Sequence, residues 1–110
     1  MKKQKDYVVT FATNQYDLMQ SRQILEELFN IKLLLSDSSF DDGLLYRYSF
    51  PGDGHAKISV YKNHMPDADV WKAPKLKQYQ IIINFLDLEL DVAEIELLSR
   101  HFDYQYSRQI

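Results

Sequence analysis

Apolar and polar positions along the chain change period several times, and each change marks an element. Tyr7-Val8-Val9-Thr10-Phe11-Ala12 is β-branched and aromatic, so residues 7–12 are expected to form a strand. Thr13-Asn14 follows, with side chains able to accept the free amides of a helical first turn. Asp17, three residues on, stands where a carboxylate meets the positive end of the helix dipole. Leu18, Ile24, Leu25, Leu28 and Phe29 then fall on one helical face, with Arg22, Gln23, Glu26 and Glu27 assigned to solvent. Asn30 is the expected left-handed terminator of this helix.

Residues 31–35 read as a short strand and residues 36–43 as a polar loop. Leu44, Tyr46, Tyr48 and Phe50 then alternate with Leu45, Arg47 and Ser49, and after Pro51-Gly52-Asp53-Gly54 Ala56, Ile58 and Val60 alternate with Lys57, Ser59 and Tyr61. Glycines that tolerate positive φ make that tetrapeptide a tight turn, so the segment predicts a β-hairpin. Its aromatic face is assigned to the core, and Arg47 and Lys57 to the opposite face. Residues 63–78 contain Pro66 and Pro74 and keep no clean period. Residues 79–85 form a further strand, apolar on both faces at Ile81, Ile82 and Ile83. Asp91 caps a second helix over 92–102, with Glu94 completing a capping box and Val92, Ile95, Leu98 and Phe102 as the buried stripe. Residues 104–108 alternate once more and read as a closing strand.

The order β-α-β-β-β-β-α-β predicts an α+β fold: a mainly antiparallel sheet of about five strands with two helices on one face. A ferredoxin-like split βαβ arrangement with an added strand is the expected topology. No repeat or linker divides the chain, so residues 1–110 are expected to be a single domain, with Met1-Lys2-Lys3-Gln4-Lys5 as a basic disordered tail.

Composition narrows the classes. A hydrophobic fraction of 45% with 26% charged residues is that of a globular chain and not of a disordered one. The absence of cysteine removes disulfides, thiolate catalysis, zinc-thiolate sites and iron–sulfur clusters, and favours the cytosol. The apolar run after the basic N-terminus is too short for a secretion signal, and no stretch has the length of a membrane span. The expected location is therefore cytoplasmic. A net charge of −3 argues against nucleic acid as a partner.

Candidate chemistry is sparse. His55, His64 and His101 show no metal-binding spacing, and neither a metal nor a cofactor is expected. Asp37, Asp41 and Asp42 resemble a calcium loop only superficially. With Asp37 at position one, Asp42 falls where glycine is required and Tyr48 where the bidentate glutamate belongs. Gly52-Asp53-Gly54 joins two strands and opens no helix, so it lacks a phosphate-binding helix terminus. Asp87, Glu89, Asp91, Glu94 and Glu96 read as capping groups and a solvated face.

The stretch 63–75 is the most suggestive, because a long connection in a compact domain tends to be functional and this one carries the only tryptophan. His64, Asp67, Asp69, Trp71 and Lys72 are the expected protein-binding residues. In the competing reading, Trp71 folds back over the core. The sequence predicts a small non-catalytic protein-binding domain, such as a bacterial or phage inhibitor, antitoxin or immunity-like protein. The alternative is a homo-oligomer, such as a homodimer, joined through sheet edges or the Tyr104/Tyr106 strand and binding a small ligand between subunits. A third reading is an enzyme that sets His64 against Asp67 or Asp69.

Overall fold

Strand β1 (Lys2–Thr13) lies between two partners drawn from the other end of the sequence, β7 (Ile81–Glu89) and β8 (Asp103–Gln109). The computed structural model describes residues 2–35, 45–52, 56–65 and 70–110. Helix α1 (Leu18–Phe29) follows β1, and then come β2 (Leu34–Leu35), β3 (Leu45–Ser49) and β4 (Lys57–Lys62). β5 (His64–Met65) and β6 (Val70–Trp71) pair as a separate two-stranded ribbon, followed by a 3-10 turn at Pro74–Leu76. Helix α2 (Val92–Ser99) connects β7 to β8. The main sheet has six strands in the order β2-β3-β4-β7-β1-β8, and every pairing is antiparallel. That is one strand more than the expected sheet of about five, and all six strands of the expected element order enter it.

Side-chain alternation sorts the central strands into two faces. Val9 and Phe11 of β1, Ile58 and Val60 of β4, and Ile81, Ile83 and Phe85 of β7 all enter one buried cluster. Leu18 and Leu25 of α1 and Leu98 of α2 join the same cluster, so both helices cover this face of the sheet. Phe11, Phe85, Phe102, Leu25 and Leu33 are fully buried there, and truncating any one to alanine costs about 3–5 kcal/mol. Tyr46, Tyr48 and Phe50 pack on the edge of the cluster as the hairpin pattern predicts, with Tyr48 and Phe50 edge to face at 4.9 Å. Leu44, His55, the turn residues Asp53 and Gly54, and the loop carrying Asp37, Asp41 and Asp42 lie outside the described residues.

Several boundaries move. β1 begins at Lys2, so Lys2 and Lys3, expected in a loose tail, pair with Glu89 and Leu88. The α1 cap is Asp17, not Asn14: Asp17 Oδ1 accepts the Gln20 amide and Gln20 Oε1 accepts the Asp17 amide, at 2.8 and 3.0 Å. That reciprocal box satisfies two orphan amides at once. Asn14 is thereby released to bond Gln78 O and the Gln80 amide. Asn30 ends the helix at φ 52°, as expected. Only Leu34 and Leu35 of the stretch 31–35 form a strand.

Glu26 is not on a free solvent face. Its Oε2 accepts the Leu33 amide at 2.8 Å and meets Arg22, whose guanidinium lies 4.4 Å from the Tyr46 ring centre. β7 runs from Ile81 to Glu89, four residues past the end of the strand expected over 79–85. Asp91 and Glu94 make the predicted capping box, but α2 stops at Ser99 and Val92 is exposed. Val92 occupies the first helical position, where the stripe has already rotated away from the sheet. Leu98 and Phe102 keep the buried role assigned to them.

Candidate binding cleft

On the face of the sheet away from the helices, polar side chains from neighbouring strands meet. Thr10 of β1 and Asn84 of β7 are register partners, and Tyr106 of β8 pairs with Thr10 on its other side. Tyr61 of β4 completes the row. The Thr10 hydroxyl donates to Asn84 Oδ1 at 2.8 Å, and Asn84 Nδ2 donates to the Tyr61 hydroxyl at 2.8 Å. These bonds link side chains from three adjacent strands, and Thr10 itself is buried. Burial pushes the Tyr61 phenol above its ordinary pKa. The Asn84 hydrogen bond opposes that shift and the nearby Tyr106 phenol adds to it.

The segment after β6 builds a wall beside this row, and one side chain holds that wall in place. Asn63 is fully buried between β4 and β5. Its Nδ2 faces the carbonyls of Ala73, Leu76 and Tyr79 at 3.3, 2.9 and 3.1 Å, while its Oδ1 accepts the Ala73 amide at 2.7 Å. Its backbone bonds Gln80 O and the Lys72 amide, both at 2.8 Å. One asparagine side chain thus meets four backbone groups of a segment with no long element of its own, which adds its own bonds from the Leu76 and Tyr79 amides to Ala73 O and Leu76 O.

Between wall and sheet lies an open cleft of about 640 Å³. Its floor includes Thr10, Tyr61, Ile82, Asn84, Gln105, Tyr106 and Arg108, and its wall is formed by Lys72, Ala73, Pro74, Lys75 and Leu76. The Lys72 ammonium sits 5.2 Å from the Tyr61 ring centre, and the Arg108 guanidinium 4.8 Å from that of Tyr106. No aspartate, glutamate or histidine is among the described residues that line the cleft.

The sequence-predicted residues distribute around this feature. Lys72 lines the cleft. Trp71 is half-buried outside the core cluster and stacks on His64 at 4.4 Å. The two rings border a second, smaller groove of about 400 Å³ with Asp17, Lys62 and Gln80. Asp67 and Asp69 lie outside the described residues. Among the described residues, no three His, Asp or Glu side chains are grouped to hold a metal ion, and no helix is long and apolar enough to cross a membrane.

Sequence reasoning missed Thr10, Tyr61, Asn84 and Arg108, and it named Tyr106 only as part of a strand for self-association. Each is a polar position within a strand, and the signal that unites them is shared parity on neighbouring strands. That signal becomes readable only when the strand order is known. Comparison with protein families, with curated proteins and with solved structures finds no match to this chain.

Proposed function

We propose that this chain is a non-catalytic domain that binds an acidic protein partner, in the manner of an inhibitor, antitoxin or immunity-like protein. The surface it uses is the cleft on the open sheet face together with the Trp71–Lys72 rim. The observation that carries this reading is the sign of the lining. Lys75 and Arg108 face the cleft, and among the described residues no carboxylate lines it, on a chain whose net charge is −3. Such segregation of charge gives complementarity toward an acidic surface and steers its approach. The wall bearing Lys72 and Lys75 is already ordered by Asn63, so docking forfeits little conformational freedom there. Among the described residues the lining offers no histidine or carboxylate as a general base, which favours recognition over acid–base chemistry.

We also read β4-β7-β1-β8 as the split βαβ core of a ferredoxin-like arrangement with β2 and β3 added at one edge. Its support is that these four strands neighbour one another antiparallel while helices follow β1 and β7.

The test is affinity capture from native lysate with the parent chain, Trp71→Ala, Lys75→Glu and Arg108→Glu. The expected result is one stoichiometric acidic partner, held by the parent and lost from both charge-reversed variants at unchanged melting temperature. A partner retained by both variants would place recognition elsewhere.

A further inference from the structure

Resting on the reading of the open-face cleft as the binding surface, we infer that its floor holds an oxyanion subsite. In it the Tyr61 hydroxyl is the hydrogen-bond donor, and the group recognised is a carboxylate or a phosphate.

The argument begins with the direction of the hydrogen bonds. Thr10 donates to Asn84 Oδ1, which turns the amide so that Nδ2 points at Tyr61. The Tyr61 oxygen therefore accepts, and its single O–H remains to be given to something else. Among the described residues no acceptor takes it. The row Thr10, Asn84, Tyr61 thus ends in a donor aimed away from the amide that feeds it. A cation or a second donor placed there would be repelled, whereas an oxygen with lone pairs would complete the chain.

Charge around that donor agrees with it. Lys72 lies over the Tyr61 ring, Arg108 over the Tyr106 ring, and Lys75 on the wall between cleft and solvent. Among the described residues neither Lys75 nor Arg108 forms an ion pair. Burial also holds the phenol in its protonated form, since a phenolate would have no hydrogen to give and would repel an anion. At about 640 Å³ the cleft admits more than a bare ion. The oxyanion can therefore be a side chain of an acidic protein segment or part of a small metabolite.

The experiment is a nuclear magnetic resonance titration of the isotopically labelled full chain with acetate, inorganic phosphate and a short oligoglutamate peptide. Sodium chloride at matched ionic strength serves as reference. The expected result is saturable shifts at the Asn84 side-chain amide and the Tyr61 backbone with all three probes and none with chloride. Tighter binding of the peptide identifies an acidic segment as the source, and tighter binding of phosphate identifies a small oxyanion. Tyr61→Phe keeps the ring and removes the donor, and it should weaken binding about tenfold. Arg108→Gln should weaken it as well, and it decides the matter should Tyr61→Phe fail to fold. Unchanged affinity in the folded Tyr61→Phe variant, or no saturable shift with any probe, would overturn the subsite. Oxyanion binding without any captured protein would remove the protein-partner reading and leave the subsite standing, and the converse result would do the opposite.

Discussion

The backbone amide of Asp6 donates to Asp87 Oδ1 across 2.8 Å, joining two residues that both hold a left-handed backbone, at φ 58° and 56°. They stand where the register of β1 on β7 shifts between Lys3 and Val8. The Asp6 carbonyl also accepts the Ile110 amide at 2.6 Å, so this bulge ties together the ends of three strands. Aspartate suits both positions because its short side chain tolerates the left-handed region and bonds local backbone. Asp87→Ala removes the acceptor and places an unsuited residue at positive φ. The expected loss is about 1–2 kcal/mol in chemical denaturation. Asp87→Asn retains both features and should stay close to the parent.

Asn63 supports a different prediction. Its side chain reaches four backbone groups of this segment, and alanine would take that partner from the Ala73 amide and the Tyr79 carbonyl and leave the Ala73 and Leu76 carbonyls only the Leu76 and Tyr79 amides. Asn63→Ala should destabilise the domain by about 2–4 kcal/mol. Trypsin should then cut after Lys72, Lys75 or Lys77 well before it cuts the parent. Loss of global stability with the wall still protected would show that the network does not hold this segment.

Ser21 offers a gain. Its hydroxyl is buried on the sheet side of α1 and has no hydrogen-bond partner among the described residues. Ser21→Ala removes an unmet polar group and inserts a better helix former. A rise of about 1 kcal/mol in unfolding free energy is expected, read as a higher denaturant midpoint at an unchanged slope.

Tyr61 gives a pH prediction whose sign follows from its raised pKa. Above about pH 10 the unfolded chain releases this phenolic proton while the folded chain still holds it. The contribution is complete below the unfolded value and is lost as pH rises through the folded one. Stability should therefore fall with pH in that alkaline window. The fall should be shallower in Tyr61→Phe, measured by denaturation at successive pH values.

Much of the fold was legible because local chemistry and tertiary packing agree on it. The hairpin of β3 and β4, the capping box of Asp91 and Glu94, and the terminator Asn30 each rest on short-range rules that the packing leaves intact. Where the reading failed, a distant partner had outbid a local one. Asn14 looked like a cap, but Gln78 and Gln80 engage its amide while Asp17 caps α1. Lys2 and Lys3 looked like a tail, but β7 extends far enough to pair with them. The cleft was hidden for the same reason, since Thr10, Tyr61 and Asn84 are far apart in sequence and adjacent only in the sheet. The suspected stretch 63–75 did contain Lys72 of its wall, yet nothing in its composition marks Asn63 as the residue that orders it.

The placement of β1 has a consequence for how the chain is made. The Thr10–Asn84 bond spans 74 residues, and β8 lies further on still. Val8, Val9, Phe11 and Ala12 therefore leave the ribosome well before β7 and find neither of their partner strands until it has followed them out. Pairings of such separation close slowly, and unpaired apolar strands meanwhile invite wrong associations. A strand made long before its partners is thus among the last to be sheltered, and synthesis through β7 sets the earliest moment at which the central sheet can assemble.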